Sequence, residues 1–329
     1  MASSTLILTV TRACNLRCAY CPTVKDGWPE LSVDDALRGM DLFLERFGGG
    51  NIKLFGGEPL LAGEVVRAVL ERAAELPQIG HVYLSTNGLG LDEGWLDFLR
   101  TYPKGILTIS LDGKPDDNRK FRRALDGVGD AYDHVVSLLP QLQTVPRVVV
   151  TQTIPPTTAG RAGENFRHLR SLGFWRFNLL PGYYIPWSEA RLGELRKGFD
   201  DIRAEIVGAW ERGERLYLRN LFTLQPTPFF NTGMIVDTDR TIHPSNVGLS
   251  GSLDELLDQT RVGDLDDPPS REELEAKAAA INGMLESKLP PRVWSSTLAV
   301  DAELTRLCRS LYAPYRRYRR ARADGQEAA

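Results

Sequence analysis

The stretch "TRACNLRCAYCP", residues 11–22, holds three of the four cysteines of this 329-residue chain. Cys14, Cys18 and Cys21 follow the spacing CxxxCxxC. Three thiols do not make a set of disulfides, and they are one fewer than a closed zinc site requires. Thiolates suit zinc or iron–sulfur clusters, so this loop is a candidate metal site.

The composition is that of an ordinary soluble protein, with a net charge of −3 and a pI near 5.9. This balance offers no general attraction to nucleic acid or to anionic lipid. No apolar run approaches the roughly 20 residues of a membrane span. The first residues, "MASSTLILTV", lack the positive segment of a signal peptide. We therefore expect a cytoplasmic protein without nucleic-acid or membrane partners.

Outward from the cysteine loop, short β-branched runs alternate with longer amphipathic segments. Strands are predicted at 6–11, 52–55, 82–86, 106–111, 147–153 and 174–180. Helices are predicted near 32–47, 62–76, 91–101, 129–142, 161–172, 187–212, 269–287 and 297–321. Ser32 is the expected N-cap of the first helix, and the glycines at 48–50 are its stop. The alternation predicts a parallel α/β sheet, either barrel-like or open and doubly wound.

Polar or glycine-rich segments follow the first four strands at their carboxyl ends. The cysteine loop comes first, then "GGEP" (56–59), "STNG" (85–88) and "SLDG" (110–113). Parallel α/β folds bind their ligands outside the carboxyl ends of the strands. The four segments therefore predict one shared site.

Three interpretations of the cysteine loop are open from its residues. The first is a zinc knuckle with a distant fourth ligand, and the second is a set of reduced, buried thiols. Candidate fourth ligands are Cys308, His81, His134, His168 and His243. None of these has a zinc-like local spacing. The third is a [4Fe–4S] cluster on three cysteines, which leaves one iron open to bind another molecule.

The loop resembles the signature of the radical S-adenosylmethionine (SAM) superfamily, CxxxCxΦC, in which Tyr20 fills the aromatic place. The resemblance implies a partial (β/α)6 TIM-like barrel with one [4Fe–4S] cluster on Cys14, Cys18 and Cys21. It also implies that the open iron chelates SAM. Reductive cleavage of SAM then yields a 5′-deoxyadenosyl radical that abstracts a hydrogen from a substrate.

The companion motifs match the SAM-binding segments of the same superfamily. By resemblance, Gly56, Gly57 and Glu58 hold the amino group of SAM, and Thr86 and Asn87 lie near the cofactor. Ser110 is a further expected SAM contact, whereas Asp112 is expected to face either the substrate or a loop and is a candidate catalytic residue. From the residues alone, "GGEP" and "STNG" are also compatible with simple turns.

Residues 110–136 resemble the subgroup of sulfatase-maturing and peptide-modifying enzymes that carry a SPASM or twitch extension. The matching positions are Phe121, Arg122, Gly127, Gly129 and Tyr132. Asn118 and Arg119 replace a histidine and an aspartate of that pattern. By resemblance Arg122 pairs with the carboxylate of SAM, and its alternative is a solvated arginine in a basic run.

The last third of the chain departs from the subgroup in its cysteines. We predict a radical SAM barrel over 1–213 and a degenerate SPASM/twitch-like α+β extension over 214–329. Ser245 stands where the extension's first cysteine is expected, so the chain is predicted to bind a single cluster. Cys308 is a candidate hydrogen-atom donor, but Leu304, Leu307 and Leu311 share its helical face and favour a core cysteine. Asp237 and Asp239 fall in a predicted hairpin turn.

The predicted function is hydrogen abstraction from a ribosomally synthesised peptide that undergoes post-translational modification. The alternatives are a radical SAM enzyme acting on a sugar, nucleoside or amino acid, and a non-enzymatic iron–sulfur redox sensor. The aromatic stretch 178–187 either walls a bulky substrate or packs the junction with the extension. An electron donor such as flavodoxin or ferredoxin is the expected protein partner. The basic run "RRYRR" near the C-terminus either docks such a partner or forms a solvated helix face.

Overall fold

The computed structural model describes residues 4–21, 23–223, 230–245, 247 and 254–327, in which strands and helices alternate. The strands are β1 (Thr5–Thr11), β2 (Leu16–Cys18), β3 (Gly50–Gly56), β4 (Ile79–Thr86), β5 (Gly105–Ser110), β6 (Arg122–Ala124), β7 (Val148–Ile154), β8 (Arg176–Pro181), β9 (Tyr217–Leu218), β10 (Phe230–Val236), β11 (Thr241–Ser245) and β12 (Gly263–Asp264). The helices are α1 (Val33–Phe47), α2 (Gly63–Glu75), α3 (Glu93–Thr101), α4 (Pro115–Phe121), α5 (Ala131–Ser137), α6 (Leu139–Leu142), α7 (Ala162–Ser171), α8 (Glu189–Glu211), α9 (Asp254–Thr260), α10 (Arg271–Lys288) and α11 (Pro291–Glu327). Among the described helices, none has both the length and the apolar character needed to cross a membrane.

The chain forms two compact units, and the first comprises Met1–Ile109, Phe121–Val148 and Phe229–Lys288. Its main sheet has the order β12-β11-β10-β1-β3-β4-β5. The pairs from β10 to β5 are parallel, and β11 and β12 add antiparallel. Strand β1 is buried continuously from Leu6 to Thr11, so both of its faces are covered, whereas the fully buried residues of β3 and β4 alternate along the strand.

Helix α1 shows how local sequence sets the boundaries of these elements. The Ser32 side chain accepts a hydrogen bond from the backbone N–H of Asp35 at 3.1 Å. Gly48 ends the helix in the left-handed conformation (φ 72°), which glycine adopts without steric cost. Both predicted caps are confirmed.

A short antiparallel ribbon in the first unit carries the cysteine loop. Strand β2 pairs with β6, and Cys18 lies opposite Arg122 in the register. The pairing continues at both ends, where Ala19 N–H donates to Phe121 O (2.8 Å) and Leu125 N–H donates to Asn15 O (3.0 Å). The ribbon therefore fixes the backbone of the loop between its first and third cysteines.

The second unit comprises Ser110–Lys120, Val149–Pro228 and Leu289–Ala329. Strands β7, β8 and β9 pair in parallel. Helices α7 and α8 pack together, and α8 also packs along α11. The rings of Phe166 on α7 and Phe177 on β8 lie 4.5 Å apart at the centre of this core.

The six parallel strands predicted from the sequence are all present, each within about three residues of its expected bounds. The helix expected over 129–142 is divided into α5 and α6. Pro140 explains the division, because it has no N–H to continue the helical hydrogen bonds. The helix α4, the β2–β6 ribbon and the helix α9 were not predicted. The domain division after residue 213 stays a prediction.

Candidate functional site

The cysteine loop leaves the end of β1 and presents its three thiols at half-buried positions. A tight turn places Cys21 N–H on Cys18 O at 3.0 Å. The Leu16 N–H points at the Cys14 sulfur, 3.4 Å away. Burial raises the pKa of the Cys14 thiol, while the Leu16 N–H and the Lys25 ammonium oppose that effect. The loop thus supplies hydrogen-bond donors to sulfurs that a metal would hold as thiolates.

The three thiols lie on one loop and are half-buried. Within the described residues, no group of three or more His, Cys, Asp or Glu side chains is placed to hold one metal ion. A four-iron cluster is larger than one ion, so its ligands stand farther apart, and three thiols on one loop fit such a cluster.

The glycine pair after β3 packs directly against the cysteine loop. A Cβ on Gly56 would lie 2.0 Å from Thr11 O, and one on Gly57 would lie 2.1 Å from Ala13 O. Gly56 also has a φ of 141°, which favours glycine. By resemblance these glycines are expected near the amino group of SAM. The structure adds a second reason for glycine here, because the backbone of the cysteine loop passes too close for a side chain.

Glu58 is a fully buried carboxylate that joins the second and third strand ends. Its Oε1 accepts from the Thr86 hydroxyl (2.7 Å) and the Leu60 N–H (3.1 Å), and its Oε2 accepts from the Asn87 N–H (2.7 Å). No described Lys, Arg or His side chain pairs with it. Desolvation raises the pKa of Glu58 because its negative charge lacks a compensating cation. A carboxylate accepts about four hydrogen bonds, so one position remains, and an ammonium group fits it.

Asn87 connects the end of β4 to the cysteine loop. Its Nδ2 donates to Asn15 Oδ1 at 2.7 Å and lies 4.0 Å from the Cys14 sulfur. Glu58 N–H donates to Ala13 O (2.8 Å) from the neighbouring strand end. The predicted convergence of the first three motifs is therefore present within the first unit.

Tyr20 and Arg122 meet beside the ribbon that holds Cys18. The rings of Tyr20 and Phe121 are stacked at 6.3 Å, and the Arg122 guanidinium carbon lies 5.4 Å from the centre of the Tyr20 ring. Arg122 is 8% exposed, so the solvated-arginine alternative is wrong. It is a buried cation opposite one of the three loop cysteines.

Ser110 and Asp112 lie in the second unit, where Asp112 has structural partners. Asp112 Oδ1 accepts from Thr153 N–H (3.1 Å), and its backbone N–H donates to Asn118 Oδ1 (3.0 Å). Asn118, the residue that replaces the subgroup's histidine, therefore fixes the turn after β5. The predicted roles of Ser110 and Asp112 remain predictions from resemblance.

A buried ion pair that was not predicted from the sequence lies at another strand end of the first unit. Arg12 and Asp237 have no exposed surface, and two guanidinium nitrogens of Arg12 donate to the Asp237 carboxylate, Nε at 3.2 Å. The Trp28 ring lies 3.5 Å from the guanidinium carbon. Asp237 lies in the predicted hairpin turn, between the antiparallel strands β10 and β11. Its pairing with the residue two positions before Cys14 was not predicted.

The aromatic segment after β8 packs on α11 within the second unit. Tyr184 N–H donates to Thr297 Oγ1 (3.0 Å), and Trp187 N–H donates to Ser296 Oγ (3.0 Å). Tyr184 and Trp187 are buried, so they support the packing interpretation rather than a substrate wall.

Cys308 is fully buried in α11, as the apolar face of that helix predicted. Burial and, to a smaller extent, Asp301 raise the pKa of its thiol to about 12. Asp301, which the sequence argument missed, is half-buried beside Tyr183, and desolvation raises its pKa to about 6. Cys308 is therefore a neutral core thiol at physiological pH.

Comparison with known proteins adds a family and a fold. The sequence pattern of the Radical SAM superfamily matches residues 8–179. A curated relative named GTP 3′,8-cyclase, from Geobacter sulfurreducens, is 36% identical over 138 residues, which are 38% of this chain and 41% of the relative. The chain thus matches less than half the length of that relative.

Two solved structures resemble larger parts of the chain. One is native anSMEcpe with bound AdoMet and Cp18Cys peptide, with a TM-score of 0.70, 15% identity, and coverage of 93% of this chain and 99% of that one. The other is SuiB of Streptococcus suis bound to the precursor peptide SuiA, with a TM-score of 0.61, 12% identity, and coverage of 91% and 70%. At these identities the likeness shows the fold, and it confirms the predicted partial (β/α)6 TIM-like barrel with a C-terminal extension.

Proposed function

Because the chain belongs to the radical SAM superfamily, whose enzymes use a [4Fe–4S] cluster and S-adenosylmethionine, we propose that Cys14, Cys18 and Cys21 hold one such cluster and that the chain modifies a peptide. When bound, the cluster and SAM supply a 5′-deoxyadenosyl radical that abstracts hydrogen from an unactivated C–H bond. The observation that carries the proposal is the meeting of the cysteine loop with Glu58 and Asn87 at neighbouring strand ends. As an enzyme, the chain does not fit the redox-sensor alternative.

The residues of the first unit are proposed to bind the ammonium and the carboxylate of SAM separately. Glu58 offers its remaining acceptor position to the ammonium, since its three described hydrogen-bond donors are all neutral. Arg122, opposite Cys18 and 8% exposed, offers a guanidinium to the carboxylate of SAM. Gly56, Gly57, Thr86, Asn87 and Tyr20 complete the proposed first-unit contacts, and Ser110 is proposed by resemblance.

Cluster assembly and SAM cleavage test the first part of this proposal. The wild-type chain, reconstituted anaerobically, should bind about four irons. With dithionite it should form 5′-deoxyadenosine from SAM. Replacing Cys14, Cys18 and Cys21 together by alanine should remove the iron and the product. Cys308→Ala is the matched control, because it removes the remaining, buried thiol and should keep the iron. About eight irons in the wild type would contradict a single cluster.

The favoured substrate is a peptide, and the support is the likeness in fold, over 91–93% of this chain, to two proteins solved with bound peptides. A small molecule is the second candidate, because the relative from Geobacter sulfurreducens is named a GTP 3′,8-cyclase. That match covers 38% of this chain, whereas the structural likeness extends over 91–93% of it. The longer correspondence is the reason to place the peptide first.

Isotope transfer separates the two substrates. Peptides encoded by short reading frames beside this gene, prepared with deuterated side chains, should transfer deuterium to 5′-deoxyadenosine. Deuterated GTP, offered under the same conditions, should transfer none. Transfer from GTP and none from the peptides would reverse the assignment.

A further inference from the structure

The half-buried side chain of Lys25 lies against the third cysteine of the loop. Its Nζ donates to the Cys21 sulfur at 3.2 Å and to Thr23 O at 3.4 Å. None of the family motifs contains this lysine. Lys25 therefore places one positive charge directly against one of the three proposed cluster ligands.

A second cation of the same loop, Arg17, has different contacts. Its Nη1 donates to the carbonyl oxygens of Cys14 (2.8 Å) and Leu16 (3.2 Å) rather than to a sulfur. Its side chain is exposed, and Nη2 lies 3.5 Å from Asp26 Oδ1. Arg17 thus has the same charge and the same loop, but not the contact with sulfur.

We propose that Lys25 sets the reduction potential of the cluster through its N–H on Cys21, an inference that rests on the proposed function. A thiolate bound to iron keeps lone pairs that accept such a hydrogen bond. One added electron makes the cluster more negative, and an ammonium on a ligand sulfur stabilises that reduced state. Lys25 therefore raises the potential and eases reduction by a one-electron donor. Arg17, exposed and screened by water, has a smaller effect.

The test is a redox titration of reconstituted protein, with dithionite as the one-electron reductant and the electron paramagnetic resonance signal of the reduced cluster as the readout. Lys25→Met should lower the ratio of reduced to oxidised cluster about tenfold at a fixed potential, which is about 59 mV for one electron. Arg17→Met should shift the potential by less than a third of that amount. Lys25→Arg keeps charged N–H donors and should stay near the wild type.

Lys25→Gln keeps an N–H donor without the charge and should fall between Lys25→Arg and Lys25→Met. If Lys25→Met does not assemble the cluster, the test uses the remaining proteins. The reduction potential should then be similar in the wild type and Lys25→Arg and lower in Lys25→Gln. Equal shifts in Lys25→Met and Arg17→Met, or in Lys25→Gln and Lys25→Arg, would overturn the inference. The absence of any cluster in the wild type would instead overturn the proposed function.

Discussion

Two carboxylates with no exposed surface stand at strand ends of the first unit, and they differ in one respect. Asp237, after β10, is paired with the Arg12 guanidinium. Glu58, after β3, accepts three hydrogen bonds from neutral donors and has no described cationic partner. Burial of a carboxylate is costly, and among the described residues a cation compensates this cost for Asp237 but not for Glu58.

The difference separates a structural site from a binding site. Arg12 and Asp237 satisfy each other's charge, so their pairing fastens the residue before the cysteine loop to the C-terminal segment of the unit. Glu58 is held in place by neutral donors, has no cationic partner among the described residues, and has a pKa that burial raises. The ammonium group of a bound ligand would supply the cation that the Glu58 carboxylate lacks. Buried charges that the fold leaves unbalanced are therefore more informative about function than buried charges that it balances.

The largest effect is expected from breaking the balanced pair. Arg12→Met leaves Asp237 as a buried carboxylate without its cation, which typically costs about 3–5 kcal/mol. The free energy of unfolding from urea denaturation should fall by this amount. Loss of the loop's anchor should also speed iron release to a chelator.

The double variant Arg12→Met/Asp237→Leu is the control for this experiment. Replacing both charges by apolar side chains is often neutral for stability, so most of the lost free energy should return. Iron release should stay fast if the pair anchors the loop. If the free energy of unfolding and the rate of iron release both returned to wild-type values, the pair would contribute to stability without anchoring the loop.

A change at Glu58, the carboxylate without a described cation, should act mainly on SAM binding. Glu58→Gln removes the charge offered to SAM and should weaken SAM binding about 10–100-fold, because a hydrogen bond to a charged group contributes roughly 1.5–3 kcal/mol. Calorimetry on reconstituted protein measures the affinity. Glu64→Gln, at an exposed position of α2, is the matched control and should bind SAM as the wild type does. Unchanged affinity in Glu58→Gln would contradict the role of this carboxylate.

The pH dependence of stability gives a second readout for Glu58. Its pKa in the fold is raised by desolvation above the usual 4.5. Because the fold favours the protonated Glu58, this group's contribution to the free energy of unfolding is fully present below pH 4.5. The contribution is lost as the pH rises through the pKa that Glu58 has in the folded state. The wild type should therefore lose free energy of unfolding over that window relative to Glu58→Gln. Added SAM should reduce the loss.

His243 is a buried histidine on which the charges of Arg12 and Asp237 act. Burial lowers its pKa to about 4, although Asp237 and Asp239 act in the opposite direction. The charges of Arg12 and Arg261 reinforce the lowering. The neutral ring is held 2.9 Å from Thr241 Oγ1 and 3.0 Å from Thr260 Oγ1.

Because the pKa of His243 is lowered in the fold, the folded protein loses stability as the pH falls. The stability is present above pH 6.5 and is lost as the pH falls through about 4, because the unfolded chain binds the proton first. The wild type should lose about 2 kcal/mol between pH 7 and pH 5 from this group. His243→Gln should remove that part of the slope in urea titrations. Identical slopes in both proteins would contradict the buried neutral histidine.

Elements with local signals were predictable from the sequence. The strands follow from β-branched runs, and α1 follows from Ser32 and Gly48, whose backbone requirements lie within a few residues. The meeting of the cysteine loop with Glu58 and Asn87 followed from a topological rule about strand ends. That rule needs no knowledge of individual contacts.

Contacts between distant positions were not predictable in the same way. Arg12 and Asp237 are 225 residues apart, and nothing near either residue specifies the other. The strand-end rule extended to β10 would have placed Asp237 beside the end of β1. The β2–β6 ribbon has three residues in each strand, which is too short for a periodic signal. Lys25 and Cys21 meet in an irregular loop, where spacing carries no rule.

The smallest expected effect comes from Thr86, which supports Glu58 without carrying a charge. Its hydroxyl donates to Glu58 Oε1 and accepts from Gly88 N–H at 3.0 Å. Thr86→Val removes both bonds and should cost about 1–2 kcal/mol in the free energy of unfolding.

Because the Thr86 hydrogen bond lowers the pKa of Glu58, its loss should raise that pKa further. The Thr86→Val protein should then lose stability with pH over a window that lies higher than in the wild type, and it should bind SAM more weakly at neutral pH. Thr86→Ser keeps the hydroxyl and should restore both properties. The same pH profile in the Val and Ser variants would show that neutral donors do not tune this carboxylate, and that the absent cation alone distinguishes Glu58 from Asp237.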